Sequence, residues 1–335
     1  MKICILRTDR MGDMLLTLPV ILSLKISNPG SEIHVVCSKK NYKVIKDVNY
    51  IDKIFKINGD LTSYIKNIVK IRKNKYHYIV NFTPGIKNIV LSIFIRSLNK
   101  ANLILLSRYR KNFLSKLFNK ILSKFFFDTV HIVDRYNRLK NKKNLHQTNM
   151  MFDLIKICKI KFKQNVNTVI SLPKKKLSFF KKKTIVVHIN ERWLNNSYSE
   201  KNLIELISQI HKKKYLVILT SDSTCKNKFH DIYKKYKVIL NSNFTKIKKL
   251  KNNPVLFNNL DYNYWLKTIY SASAVITPEC GCSHIAAACK VPVNIIYDHT
   301  NYPQAINNEY APWKSKYNKF TFGDKKLNEK IILSI

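Results

Sequence analysis

The stretch Ile3-Cys4-Ile5-Leu6-Arg7-Thr8-Asp9-Arg10-Met11-Gly12-Asp13-Met14-Leu15-Leu16 holds a strand, a polar turn and a helix start in succession. A short apolar run without alternation suits the central strand of a parallel sheet, covered on both faces. The turn then lies at the carboxyl end of that strand, where open α/β folds place ligands. Gly12 supplies backbone freedom or close approach. Asp13 stands in the first turn of the following helix, where it either caps the helix or turns its carboxylate to the crevice.

Outward from this stretch, strand and helix signals alternate. Apolar positions from Leu15 to Leu24 repeat with helical spacing and stop at Asn28-Pro29-Gly30. Pro19 falls inside that run, so the helix either begins near Leu18 or is kinked in its first turn. Ile33–Cys37, Lys53–Ile57, Tyr78–Phe82 and Leu103–Leu106 read as strands, with helices over Leu61–Lys73 and Ile89–Leu98 and a turn at Thr83-Pro84-Gly85. This order argues a parallel, doubly wound domain. From Arg108 to Lys143 the sequence mixes basic residues with an apolar stripe that includes Leu117, Ile121, Leu122, Phe125 and Phe126. Such a helix either lies in a membrane interface or packs its stripe on the core, and the second is the expectation. Another helix is expected over His146–Ile160.

The second half repeats the pattern. Thr184–Ile189, Tyr215–Leu219, Ala274–Thr277 and Val293–Tyr297 read as strands, and Glu200–His211 and Tyr262–Ser271 as helices. After the third of these strands comes Pro278-Glu279-Cys280-Gly281-Cys282-Ser283-His284, opening a helix rich in alanine. A helix start presents unpaired N–H groups and partial positive charge, which suits a phosphate or diphosphate, and Gly281 lets the backbone come close. His284 either contacts phosphate or packs. Ser221 and Asp222 follow a strand and either touch a ribose or cap the loop, and His188 reads as a structural histidine.

At 335 residues the chain fits two α/β domains of roughly 150 residues each. The expected division is an N-terminal domain over 1–165, a linker over 166–183 and a C-terminal domain over 184–335. The formal charge of +41 comes from 61 Lys and Arg against 20 Asp and Glu. It is read two ways: a polyanionic partner, or a Lys-, Asn- and Ile-rich composition of the kind AT-rich genomes produce. The seven Cys include no CxxC pair, so reduced, mainly buried thiols are expected and no zinc site. No apolar run approaches the roughly 18 to 20 residues of a membrane span, so a cytoplasmic protein is expected, at most peripherally attached to a membrane.

The two loops and their order resemble the ADP-heptose:lipopolysaccharide heptosyltransferases, glycosyltransferase family nine. Arg7, Asp9, Gly12, Asp13 and Pro19 fall at the positions of the family's opening pattern, and Glu279, Gly281, His284, Ala286, Ala287 and Pro292 are in register with its C-terminal one. Leu145-His146-Gln147 is similar to the family's helix ahead of the linker, and Val187-His188 to Leu206 to the opening of its nucleotide domain. The resemblance covers most of the chain. It implies a GT-B architecture, two Rossmann-like domains facing across a cleft, with acceptor on the first and nucleotide-sugar on the second.

It further implies Asp13 as catalytic base, with Arg10 and Gly12 in the acceptor-side loop, and no metal or cofactor beyond the donor, an ADP-linked heptose. Glu279, Cys280, Gly281, Cys282, Ser283 and His284 would form the donor and diphosphate loop, its stabilisation coming from the N–H groups of Gly281 to Ser283. Relatives carry Asp-Thr-Gly where this chain has Glu279-Cys280-Gly281, and a Lys before Trp-Pro where it has Asn196 before Tyr198-Ser199. Arg192 is the nearby cation that could substitute, since a guanidinium binds phosphate in bidentate fashion. The implied acceptor is a lipopolysaccharide core or related lipid-linked glycan at an anionic membrane. The competing readings are a silent member that only binds a nucleotide-sugar, and a basic nucleic-acid-binding protein. No zinc-finger, RRM or KH pattern supports the latter, and no nucleic-acid partner is expected.

Overall fold

The computed structural model describes all residues except 59–60, 84, 107–112, 142–144, 181–182, 196, 246, 248–249, 251–252 and 299–302. The chain divides into two compact units, Met1–Ser171 with Asn308–Lys314, and Leu172–Asn307 with Ser315–Ile335.

The first unit runs β1 (Lys2–Arg7), α1 (Met11–Ser27), β2 (Glu32–Ser38), α2 (Lys39–Ile45), β3 (Lys53–Ile57), α3 (Leu61–Arg72), β4 (Tyr76–Asn81), α4 (Ile86–Phe94), β5 (Ser97–Leu106), α5 (Phe113–Phe126), β6 (Thr129–Asp134), α6 (Arg135–Lys140) and α7 (Gln147–Ile157). Its sheet has the order β3-β2-β1-β4-β5-β6, every ladder parallel. β1 is central, and Ile3, Cys4, Ile5 and Leu6 are fully buried, as expected for a strand covered on both faces.

The second unit begins with β7 (Thr184–His188), then α8 (Glu200–Lys212), β8 (Leu216–Ser221), α9 (His230–Lys235), β9 (Lys237–Leu240), α10 (Asn241–Phe244), β10 (Val255–Asn258), α11 (Tyr262–Ser271), β11 (Ala274–Pro278), α12 (Gly281–Ala288) and β12 (Val293–Tyr297). It closes with β13 (Asn318–Thr321) and α14 (Leu327–Leu333), while α13 (Pro303–Tyr310) carries the chain to the segment that joins the first unit. The sheet order is β13-β12-β11-β7-β8-β10-β9, again parallel throughout. Trp193, Phe229, Phe257 and Phe322 are among its largest buried side chains.

Several local expectations are corrected. α1 starts at Met11 and continues through Pro19, forgoing only the hydrogen bond that Pro19 cannot donate to the Leu15 carbonyl. The helix expected to reach Leu98 stops at Phe94, because β5 starts at Ser97 and pairs Ser97 with Tyr76 of β4. β6 lies unforeseen in the basic stretch after α5, and β9 and β10 in the Lys- and Asn-rich stretch after α9. Polar residues at these sheet edges and strand ends hide the apolar pattern that marks a central strand.

The stripe of α5 packs inward only in part, with Leu122 half-buried and Phe127, just past the helix, buried. Leu117, Ile121, Phe125 and Phe126 are exposed, while Ser123 is buried and accepts a hydrogen bond from Asn102 Nδ2 at 2.7 Å. Pro84 of the expected Thr83-Pro84-Gly85 turn lies outside the described residues.

Candidate functional site

In both sheets the candidate residues follow strands at which the strand order reverses. In the first, β2 lies on one side of β1 and β4 on the other, so the β1–α1 loop opens at the switch point. That loop is tied down on both flanks. Thr8 N–H donates to Thr83 Oγ1 at 3.1 Å, Thr8 Oγ1 to Asn88 Oδ1 at 3.0 Å, and Asn41 Nδ2 to the Arg7 carbonyl at 3.1 Å.

Arg7, the last residue of β1, is 1% exposed, and its guanidinium faces two carboxylates and a carbonyl. Nε lies 3.1 Å from Asp9 Oδ1, an Nη lies 3.1 Å from Asp13 Oδ1, and the other Nη donates to the Phe82 carbonyl. Asp13 is the third residue of α1, not its N-cap, and Oδ2 accepts the N–H of Arg10, which is the N-cap, at 3.3 Å. Both carboxylate oxygens are thus held while the side chain stays 14% exposed. Burial raises the neighbouring Asp9 carboxyl, Arg7 opposes the rise, and the charge of Asp13 adds to it. Arg10 is exposed at the mouth of the loop. Gly12, the second residue of α1, has no left-handed backbone.

A second buried charge cluster in the same unit escaped the sequence reading. Glu309, 1% exposed, pairs with Arg135 at the start of α6, and its Oε1 accepts Gln147 Nε2 from α7 at 2.8 Å. Thr148, next along α7, donates to the Leu16 carbonyl of α1 at 2.9 Å, and His146 Nε2 lies 2.9 Å from the Ala311 carbonyl. Burial pushes the Glu309 carboxyl up, Arg135 and Gln147 pull it down, and the negative charge of Asp13 adds to the rise. The return segment 308–314 therefore supplies an acid that feels the field of the β1–α1 loop. Glu309 and Arg135 stand 174 residues apart, and no local pattern links them.

In the second sheet the switch point lies between β7 and β11, and the loops after these two strands meet. Arg192, in the single 3₁₀ turn Glu191–Trp193 after β7, pairs with the Glu279 carboxylate and also donates to the Glu279 carbonyl after β11. Asn190 Oδ1 accepts the Arg192 N–H at 2.9 Å, and its Nδ2 reaches Cys280 Sγ at 3.6 Å. Cys280 is the N-cap of α12, and burial raises its thiol against the pull of the Thr277 hydroxyl, 3.3 Å away.

Of the N–H groups expected to face a diphosphate, that of Ser283 is spent on the Cys280 carbonyl at 3.2 Å, and its hydroxyl on the same oxygen at 2.7 Å. The Cys282 N–H turns to the Cys280 thiol, which leaves Gly281 as the open position at the start of the helix. Gly281, like Gly12, has no positive φ. Cys282 and His284 are buried. Asn196 lies outside the described residues.

Ser221 and Asp222 are drawn into local structure. Ser221 Oγ lies 2.8 Å from Tyr233 Oη and donates to Asn258 Oδ1 at 3.1 Å, and Asp222 Oδ1 caps the turn at Ser223–Asn227 by accepting the Thr224 N–H at 2.9 Å. His188, at the end of β7, has Nδ1 2.9 Å from Thr220 Oγ1 and its ring tilted against Trp265. Burial brings its imidazole down to about 4, opposed by Asp222 and by the Thr220 hydrogen bond. The unfolded imidazole takes up its proton near pH 6.5, before the folded one does. Stability is therefore expected to be full above that pH and to be lost as pH falls toward 4. A His188→Asn variant should show a shallower loss over this window in thermal melts.

Among the described residues, no helix is long and apolar enough to cross a membrane, and no group of three or more His, Cys, Asp or Glu is placed to hold a metal. No protein-family model and no curated protein matches the chain. Solved structures do. The glycosyl transferase of family 9 from Veillonella parvula superposes with a TM-score of 0.73 at 14% identity, over 100% of this chain and 89% of that one. ADP-heptose LPS heptosyltransferase II of E. coli gives 0.71 at 12% identity, over 99% and 97% of the two chains. The E. coli heptosyltransferase WaaC, solved with ADP-2-deoxy-2-fluoro heptose, gives 0.68 at 13% identity, over 100% and 98%. With two parallel α/β sheets and full-length similarity to these structures, the chain has the GT-B fold that family 9 glycosyl transferases share.

Proposed function

We propose that the chain is an inverting, metal-independent glycosyltransferase that moves a sugar, heptose from ADP-heptose, to a lipopolysaccharide core or related surface-glycan acceptor. The observation that carries this reading is the Arg7 clamp, which fixes a partly exposed Asp13 carboxylate at the switch point of the first sheet. A carboxylate so held takes the proton of the acceptor hydroxyl as that oxygen attacks the anomeric carbon. The bond to the diphosphate breaks on the opposite face of the sugar, and the charge it releases needs stabilisation. The start of α12 and the Arg192 guanidinium are the groups of the second unit that fit that task. The ADP-heptose analogue bound by WaaC supports the choice of donor.

A thermal-shift panel of ADP-, GDP-, UDP- and dTDP-sugars followed by a transfer assay in EDTA tests the reading. ADP-heptose should protect and turn over, whereas protection by none of the four overturns it. Arg192→Ala should raise the donor KM about tenfold, as a charge-assisted contact of about 1.5 kcal/mol does when lost. An unchanged KM removes Arg192 from the donor site. One observation favours a second reading, binding without transfer: Cys280 puts a half-buried thiol at the N-cap, with no hydroxyl to offer a phosphate. Protection by a nucleotide-sugar with no turnover on any acceptor would select it.

A further inference from the structure

From Leu61 to Phe127 the sequence contains no Asp or Glu, so every charged side chain across α3, α4, β5 and α5 is basic. On α5, Leu117, Lys120, Ile121, Lys124 and Phe125 follow the spacing i, i+3, i+4, i+7, i+8, which is one helix face. All five are exposed, with Phe125 80% exposed. The opposite side carries the buried Ser123, hydrogen-bonded to Asn102 of the sheet. The helix therefore presents Leu117, Ile121 and Phe125 outward beside two lysines, with Leu122 half-buried and Ser123 turned inward.

Exposed apolar residues recur on its neighbours. α4 packs beside α5 and α3 beside α4, and Phe94, Leu98, Ile65 and Val69 are all at least half exposed. Phe94 also lines a shallow notch of about 310 Å³ with Arg72, Arg96 and Lys100. Lys100 is half-buried and its Nζ donates to the Ile93 carbonyl at 3.1 Å, so Arg72 and Arg96 are the exposed cations of this notch. Two exposed guanidiniums beside exposed phenylalanine and leucine match an interface that is anionic at its surface and apolar just beneath. Monomeric soluble proteins rarely leave so much contiguous apolar surface uncovered without a partner.

We propose that the α3–α4–α5 face of the first unit docks on an anionic phospholipid bilayer, with Leu117, Ile121 and Phe125 of α5 at the acyl boundary and Arg72, Arg96, Lys120 and Lys124 at headgroup phosphates. The uniform positive charge of this stretch selects the bilayer over a protein partner, whose own surface would bring both signs. The inference does not depend on sugar transfer, and its test requires none.

The experiment is co-sedimentation of the full chain with vesicles of phosphatidylcholine alone and of phosphatidylcholine with about one-third phosphatidylglycerol. Binding should require phosphatidylglycerol and weaken as salt rises. Ile121→Ser with Phe125→Ser should reduce partitioning by more than about tenfold. Lys120→Ser and Lys124→Ser should each reduce it roughly fivefold. All four positions are exposed, so circular dichroism should stay unchanged. Absence of binding, equal binding to neutral vesicles, or full binding by the double variant overturns the proposal. So does a dimer of the unaltered chain, broken by the same substitutions, that leaves vesicles untouched, since a second copy would then be what covers this face.

Discussion

Asp13→Asn is expected to lower the turnover of sugar transfer by about 10²- to 10⁴-fold, the range a positioned base contributes, with the donor KM and the melting temperature nearly unchanged. The substitution keeps the shape of the side chain. Its amide oxygen still accepts from Arg7 or from the Arg10 N–H, so the loop keeps its anchors and loses only the proton acceptor. A variant with full turnover takes Asp13 out of the mechanism. One that fails to melt cooperatively would instead show the carboxylate to be a structural counter-charge for Arg7. The two outcomes are separated by kcat and a thermal melt on the same preparation.

Arg7→Met carries the largest expected cost in stability. The methionine fills much of the volume but leaves Asp9 and Asp13 facing each other without their shared cation, and the Phe82 carbonyl without its donor. Removing one partner of a buried ion pair costs about 3–5 kcal/mol, because the remaining charge stays desolvated. For a unit of this size that corresponds to roughly 10 °C in melting temperature. The pH dependence identifies the cause. Without Arg7 the folded state favours protonated carboxyls more than the unfolded chain does, so it binds more protons, and the deficit should shrink as pH is lowered toward 5. A deficit that is flat with pH would mean lost packing and not stranded charge. Arg7→Lys should fall between, since one ammonium cannot span the two carboxylates and the carbonyl that the planar fork faces.

The Glu309 cluster shows why only part of such a site is legible in a sequence. Asp13 and the Gly281 loop were legible because each follows a buried strand and opens a helix within fourteen residues or fewer, and that order by itself marks a ligand position in a parallel sheet. Glu309 follows no such signal. It lies in a polar helix near the end of the chain and becomes part of the first unit only because residues 308–314 return to it. The Arg192–Glu279 pair is an intermediate case. Both residues stood out in the sequence, as a substitute cation and a member of the donor loop, yet their pairing is a product of β7 and β11 lying side by side.

α5 makes the same point about direction. Its periodicity announces a helix with an apolar stripe, and the helix forms at Phe113–Phe126. Spacing says nothing of which way a stripe faces. In the fold Ser123 meets Asn102 of the sheet while Leu117, Ile121 and Phe125 stay exposed, so the chain's most uniformly basic stretch also presents exposed apolar side chains.

What the sequence determined by itself is the alternation of buried strands and helices, and hence two parallel sheets with polar loops at Asp13 and Gly281. Those features are encoded over a few adjacent residues, where backbone geometry and burial act locally. Only the tertiary structure decided which charges share Arg7, that Glu309 meets Arg135, that Ser283 spends its N–H on Cys280, and that Leu117, Ile121 and Phe125 of α5 stay exposed. Each of these depends on which groups packing leaves close together or uncovered, and neither a paired charge nor an open face has a signature in the order of neighbouring residues.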